Sequence, residues 1–260
     1  MGIKRPFYRC YRGDKRPNDK RMNNGYIEDL EYAEEPIHYL NAYLLIQKDL
    51  LTLFEYVHPS DKNLQSFSLR IHELLMRTCI EIEANFKAIL KSNSYNANNR
   101  WDIKDYRLVN ITHHLDDYVI IIPSWRGDFK RVKPFIEWKD AQHKGGPSWY
   151  KAYNKSKHNR HEEFEVANLE NLVYAVTGLL VLIVSQFKDC SFEGSRNAHL
   201  TATFNKGNKG FWGLGNYFVI EYPNNWSEEE MYDFDWNELK NEPERFDKID
   251  YNAIASQYKK

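Results

Sequence analysis

The 260-residue chain has few cysteines and no uncharged run long enough to cross a membrane. Its three cysteines, Cys10, Cys79 and Cys190, are far apart and share no metal-ligand spacing, which predicts reduced thiols in a cytoplasmic protein. The uncharged stretch 171–187 has 17 residues, and a membrane span needs about 20. It therefore predicts a buried core helix and no membrane contact. No apolar run follows the basic N-terminus, so we expect no signal peptide.

Common cofactor and nucleophile motifs are also missing. The glycine-rich stretch 206–210 lacks the spacing of a phosphate-binding loop, and there is no dinucleotide fingerprint or serine nucleophile elbow. Adjacent His113 and His114 would point in different directions on a helix, and no partner stands at metal-site spacing. Asp233 and Asp235 are better explained as surface acids beside buried aromatic residues. The sequence therefore predicts no cofactor and no metal.

Aromatic residues are plentiful, with 18 Tyr, 14 Phe and 7 Trp, and the net charge of −1 hides an uneven distribution. Residues 1–22 carry a net charge of +6, and residues 221–260 carry −6. The basic segment, taken as a tail over 1–30, has three interpretations: a solvated, poorly ordered tail, a contact with RNA phosphates, or a segment attracted to the acidic end.

Apolar patterning predicts a mainly α fold in which a helical bundle over 35–190 carries a small β-rich, aromatic and acidic extension over 195–260. Predicted helices cover 36–56, about 66–91, 101–114 and about 164–187, and one more begins near Pro147 or Ser148 and breaks near 159–163. Strands are expected at 117–123, 199–204 and 217–222, with an irregular connection over 129–146 and a glycine-rich turn over 206–215.

The segment Trp149–Arg160, WYKAYNKSKHNR, is the candidate functional site. Counted from Tyr150, its helical stripe places polar and titratable groups where apolar side chains normally face the interior. His158 is suited to general acid–base catalysis, because the pKa of a free imidazole lies near neutrality. Lys157 and Arg160 are suited to hold a phosphate, and Asn154 lies one turn from His158. A buried polar network, a binding site and a catalytic site all remain open.

A second charged stripe lies on the helix predicted over 66–91. Its members Arg77 and Glu81 have the spacing of exposed ion pairs along one helix, and Glu83 lies beside them. Alternatively, one of these three side chains meets the His158 helix across the bundle. A carboxylate in that position would orient the imidazole and raise its pKa.

The arrangement resembles HEPN domains, all-α bundles that include metal-independent ribonucleases of prokaryotic defence and toxin systems. Their motif is Arg-x-x-x-x-His with a polar residue after the Arg. In this chain Asn154 and His158 are in register, but Tyr153 occupies the Arg position. The segment is similar to the YNxxKHxR stretch of bacterial HEPN-like proteins. The resemblance covers about 35–190.

The resemblance implies a bundle that binds or cleaves RNA, and a homodimer, because such ribonucleases often place two motifs across a dimer. If the protein is catalytic, the ribose 2′-OH would attack, His158 would act as acid and base, Lys157 and Arg160 would contact phosphate, and Asn154 would orient. Tyr153 cannot replace the charge of an Arg, because a tyrosine stays neutral near pH 7. The alternative is a non-catalytic interaction protein in which the segment is a structural network.

Overall fold

The structure is a computed structural model that describes residues 2–15, 24–97, 100–143, 145–188, 204–205 and 210–258. The predicted mainly α class is confirmed. The helices are α1 (Pro36–Tyr56), α2 (Leu69–Ser92), α3 (Ile103–His113), α4 (Ser148–His158), α5 (Leu169–Phe187), α6 (Trp236–Leu239) and α7 (Tyr251–Tyr258). Helix α1 has its predicted bounds, and α2, α3 and α4 begin within about three residues of the predicted positions.

Local capping sets where these helices begin. Pro36 occupies the first turn of α1, where its missing N–H is not needed. The Ser68 hydroxyl accepts from the Ile71 N–H at the start of α2. The Asn168 side chain accepts from the Asn171 N–H, so α5 begins at Leu169 and not at the predicted Phe164. The predicted break after α4 is confirmed. The chain between α4 and α5 includes a short 3-10 helix, Phe164–Val166.

Helix α5 is the centre of the bundle. It packs against α1, α2 and α4, and all its residues from Val173 onward are buried except Tyr174. Each large apolar side chain there contributes about 1.5–3 kcal/mol on full burial before entropy is subtracted. Among the described residues, α5 alone is long and apolar enough to cross a membrane, yet 83% of that window is buried inside the protein. It is therefore the core helix that the sequence predicted.

An antiparallel sheet joins the two halves of the chain in the order β2-β1-β5-β4-β3. The strands are β1 (Val119–Ile121), β2 (Arg131–Val132), β3 (Phe204–Asn205), β4 (Gly210–Trp212) and β5 (Val219–Glu221). In register, Ile120 lies opposite both Val132 and Ile220. The C-terminal extension therefore shares its sheet with residues from the bundle.

Three strand predictions have different outcomes. The strands predicted at 117–123 and 217–222 are confirmed by β1 and β5. Most of the strand predicted at 199–204 lies outside the described residues. The turn expected over 206–215 and the irregular connection expected over 129–146 were wrong in part, because β4 and β2 lie within them. Both strands are very short, which leaves little period-two patterning to detect.

Residues 2–15 are not the solvated tail that their charge suggested. Arg9 and Arg12 are only 1% and 7% exposed. The Tyr11 N–H donates to the Ser185 carbonyl at the end of α5 over 2.8 Å, and the Lys15 N–H donates to the Tyr232 carbonyl over 3.0 Å. The remaining residues of the expected basic tail up to 23 lie outside the described part of the chain.

The attraction between the two chain ends, the third interpretation, is present in the structure. Ion pairs join Lys4 to Asp233 over 2.7 Å, Arg5 to Glu242 over 2.9 Å and Lys15 to Glu228 over 3.1 Å. These pairs are largely exposed, so each contributes little stability. The buried residues between Arg5 and Lys15 hold the N-terminal segment more strongly than these ion pairs do.

Candidate functional site

Helix α4 turns a different stripe toward the interior from the one predicted. Trp149, Ala152, Tyr153 and Ser156 are buried and have the spacing i, i+3, i+4, i+7. Helix α4 packs on α5 and on α2. Tyr150 is also buried, but Lys157, His158 and His161 are exposed. The expectation that titratable groups of this segment face the interior is therefore wrong for these three residues.

The inner part of the segment is a small polar network between α4 and α2. The buried Tyr150 hydroxyl donates to Glu83 Oε1 over 2.9 Å. Glu83 Oε2 lies 3.6 Å from Lys87 Nζ, one turn along α2. Burial and the nearby carboxylate raise the pKa of Tyr150 well above its ordinary value, so the phenol stays protonated and donates. This contact ties the two helices together.

Tyr153, at the position of the motif Arg, is 1% exposed. Its hydroxyl accepts from Lys157 Nζ over 3.1 Å, and the ammonium lies 5.1 Å from the Tyr153 ring centroid. The hydrogen bond to Tyr153 raises the pKa of Lys157, and Glu83 adds to this while Arg100 opposes it. Lys157 is therefore a fixed cation at neutral pH, with its side chain folded back along its own helix.

The other members of the predicted site are not gathered around His158. Asn154 Nδ2 donates to the Tyr150 carbonyl over 3.1 Å, within α4. The His158 ring is exposed and has no hydrogen bond or ion pair with the described residues. The Arg160 guanidinium lies 6.0 Å from the Phe164 ring centroid, beyond the end of the helix. Asn154 therefore does not orient His158.

The expected carboxylate partner of His158 is also missing among the described residues. Arg77 forms an ion pair with Asp49 on α1. The Glu81 carbonyl accepts from Asn85 Nδ2, and its carboxylate has no hydrogen bond or ion pair with the described residues. Glu83 does reach α4, but through Tyr150 and not through the imidazole. The expectation that one of them would orient His158 is therefore wrong, because that ring lies on the solvent side of α4.

A surface depression of about 780 Å³ lies where α2 meets the chain after α4. Arg160 lines it together with residues of α2: Leu69, Arg70, His72, Glu73, Met76, Arg77 and Ile80. His72 is nearly buried and stacks on Phe164 with 5.3 Å between ring centroids. Lys157 and His158 do not line this depression. The three basic groups of the motif therefore do not converge on one cleft.

The densest titratable network lies elsewhere, around Cys10 and His113, and sequence reasoning missed it. His113 Nε2 lies 2.9 Å from the Arg9 carbonyl oxygen, and Nδ1 lies 2.9 Å from Thr112 Oγ1. A carbonyl only accepts, so His113 Nε2 donates to the Arg9 carbonyl, and the Thr112 hydroxyl in turn donates to the Val109 carbonyl over 3.2 Å. Tyr251 Oη lies 2.9 Å from the same hydroxyl. The network holds the N-terminal segment, α3 and α7 together.

Cys10 is fully buried in this network. Burial raises the pKa of the thiol, but His113 and Arg12 lower it more, and the net value is about 7. A thiol that titrates near neutrality reacts readily when solvent reaches it, and here none of the side chain is exposed. The network therefore has a structural role. A lone cysteine beside basic residues in a presumed tail offers no sequence signal for it.

A second buried chain of polar groups extends from Arg9. Arg9 Nη1 donates to Gln186 Oε1 over 3.1 Å, and Nη2 donates to the Glu34 carbonyl over 2.5 Å. Gln186 Nε2 in turn donates to Asn85 Oδ1 on α2 over 3.0 Å. Burial lowers the pKa of Arg9, but an arginine remains charged. This cation fastens the N-terminal segment to the core.

A scan of protein-family models, a search of curated proteins and a search of solved structures each found no match to this chain.

Proposed function

We propose that this protein binds RNA through a basic patch at the end of α4, formed by Arg100, Lys157, His158 and Arg160. One observation carries the proposal: all four side chains are exposed, and none has a carboxylate within ion-pair distance among the described residues. Arg100 is close enough to oppose the charge of Lys157. Exposed basic groups without carboxylate partners are suited to neutralise phosphates.

Binding fits this geometry better than cleavage. A general base needs a fixed ring orientation and tautomer, which a hydrogen-bonded partner supplies. His158 has no such partner among the described residues, and the neutral, buried Tyr153 stands where the HEPN motif has a cation. We therefore propose a HEPN-like bundle, active in the cytoplasm of a bacterium, that holds RNA without cutting it. The packing of α4 on both α2 and α5 supports that fold.

The direct test measures the affinity of a labelled single-stranded RNA across a series of salt concentrations. The variant Arg100→Gln/Lys157→Gln/Arg160→Gln should bind more weakly. Each phosphate contact contributes about 0.7 to the slope of log affinity against log salt, so the slope should fall by about 2. The matched control Lys48→Gln/Lys62→Gln/Lys91→Gln removes three exposed, unpaired lysines from other surfaces.

An unchanged slope in the patch variant would contradict the binding site. A cleavage assay in the presence of a chelator tests the second half of the proposal. Wild-type protein and His158→Ala should both leave the RNA intact. Cleavage by the wild type that disappears in His158→Ala would show a ribonuclease instead.

A second candidate function, self-association, is favoured by the outer face of α2. Leu69 and Ile80 on this face are 61% and 57% exposed. Beside them the charges alternate in sign along α2: Arg70, Glu73, Arg77 and Glu81. Reversing the direction of such a series exchanges the signs, so α2 is complementary to an antiparallel copy of itself. We propose a two-fold homodimer through this face.

Charge exchange tests the homodimer. In light scattering, Arg70→Glu/Arg77→Glu and Glu73→Arg/Glu81→Arg should each be monomeric, because each variant carries one sign along α2. An equimolar mixture should recover the dimer mass. If the wild type is monomeric at the highest soluble concentration, or if both variants remain dimeric, the α2 interface is wrong.

A further inference from the structure

A groove of about 580 Å³ lies between α4 and α5 and is closed on one side by the chain around Pro134. One face of α4 and the first turns of α5 form its walls. Three lysines line it. Lys133 directly precedes Pro134, and Lys151 and Lys155 lie on α4. We call it the lysine groove. Its size is within the range of small-ligand sites.

Three lysines and two carboxylates line the groove, which leaves an excess of one positive charge. Glu137 Oε1 already accepts from the Ser148 N–H at the start of α4 over 2.6 Å. Glu170 already accepts from Gln65 Nε2 over 2.9 Å. None of the three lysines has a carboxylate within ion-pair distance among the described residues. The two carboxylates keep their charge but are held by neighbouring N–H groups and not by the lysines, so the three ammonium groups can contact an anion directly.

The rest of the lining suits an anion that has a flat or apolar part. Trp149 forms a buried wall, since its indole N–H donates to the Pro134 carbonyl over 2.7 Å. Tyr174 is half-buried and packs edge-on against Phe129, with 5.0 Å between ring centroids. Burial raises the pKa of Tyr174, so its hydroxyl remains a neutral donor. The lysines can contact a phosphate, and the aromatic lining can contact an adjoining sugar or base.

The lysine groove and the basic patch meet at His158, on one side of α4. Lys151, Lys155 and His158 have the spacing i, i+4, i+7, so they lie along one side of α4. At 1.5 Å per residue the first and last are about 10 Å apart along the axis. A strand held at the end of α4 therefore passes two exposed lysines, Lys155 and Lys151, on its way into the groove.

We propose that the lysine groove binds consecutive phosphates of the same single-stranded RNA that the basic patch holds. This inference rests on the proposed RNA-binding function and names the path of the strand. The groove supplies three phosphate contacts, and Tyr174 borders the adjoining sugar or base.

The experiment compares Lys133→Gln/Lys151→Gln/Lys155→Gln with wild type in the same salt series. The slope of log affinity against log salt should fall by about 2, as expected for three lost contacts to a single strand. The control Lys48→Gln/Lys62→Gln/Lys91→Gln should keep the wild-type slope. Circular dichroism of each variant checks that the fold is retained.

A footprint on the wild-type protein gives a second readout that needs no variant. Acetylation followed by mass spectrometry should show that RNA protects Lys133, Lys151 and Lys155 but not Lys48, Lys62 and Lys91. If the wild type binds no RNA, both the proposed function and the assignment of the groove are overturned. If the patch variant loses affinity while the groove lysines stay unprotected and their variant binds normally, only the groove is overturned. Equal protection by a mononucleotide alone would also overturn the assignment to an RNA strand.

Discussion

Residues 2–15 and the end of α4 are both rich in basic side chains, but the two sets have opposite environments in the fold. In the N-terminal segment Arg9 and Arg12 are buried, and Lys4, Arg5 and Lys15 pair with acids of the C-terminal region. At the end of α4, Lys157, His158 and Arg160 are exposed and have no carboxylate partners among the described residues. Charge in the sequence therefore indicates a binding surface only where the fold leaves it unpaired.

The largest effect expected within this comparison comes from Arg9. Replacing it in Arg9→Ala leaves Gln186 Oε1 and the Glu34 carbonyl without their donor in a buried place. The free energy of unfolding should fall by about 3 kcal/mol, measured by urea denaturation. Arg5→Ala is the matched control, because its exposed ion pair with Glu242 should contribute about 0.5 kcal/mol. Equal losses would mean that the N-terminal segment is held by its surface pairs.

Two histidines test the same difference between the buried N-terminal region and the exposed end of α4. His113→Ala removes both ring hydrogen bonds and leaves a cavity, so the free energy of unfolding should fall by about 2–3 kcal/mol. His158→Ala should change it by less than about 0.5 kcal/mol, because that ring is exposed and unpartnered. Urea denaturation of both variants measures the difference. A comparable loss in His158→Ala would show that the end of α4 is structural.

A pH-dependent effect is expected for Asp14, which belongs to the buried N-terminal segment. Burial raises the pKa of this carboxyl from 3.8 to about 6, against the opposing effect of Lys188. The folded state therefore binds the proton more tightly than the unfolded chain, and stability is lost as the pH rises from about 4 to 6. Asp14→Asn removes that loss, so its gain in melting temperature over wild type should grow through this window and level off above it.

Thermal unfolding across a pH series, followed by circular dichroism, measures the effect of Asp14→Asn. Asp128→Asn is a suitable control, because Asp128 is an exposed carboxyl on the chain before β2. A gain for Asp14→Asn that is the same at pH 4 and pH 7 would mean that the carboxyl titrates normally and that the N-terminal segment is more open than the structure indicates.

Much of the helical framework was predictable because its signals are local. The apolar period of α2, Pro36 at the start of α1 and the uncharged stretch of α5 all act within a few turns of chain. Predictions were less accurate where the pattern was short or ambiguous. The strands β2 and β4 are two and three residues long. In α4 the buried stripe counted from Trp149 has only four positions, and Tyr153 belongs both to it and to the stripe counted from Tyr150.

The candidate site was predicted only in part for the same reason. The residues of Trp149–Arg160 were identified, and the contact of Glu83 with α4 was among the partners considered. Whether Lys157 and His158 face the core or the solvent depends on which stripe meets α5. In the fold the stripe of Trp149, Ala152, Tyr153 and Ser156 is buried, which leaves Lys157 and His158 on the solvent side. The lysine groove was not predicted, since it needs Lys133 to lie beside α4.

The sequence by itself determined the mainly α class, the core helix α5 and the opposite charges of the two chain ends. Tertiary structure decided which charges remain available for a partner. Long-range contacts, such as Tyr11 with Ser185 and Lys4 with Asp233, join residues more than 170 positions apart, and no local pattern encodes them. The free energy of burying a charge depends on its neighbours in space, so only the folded chain separates structural arginines from a basic surface.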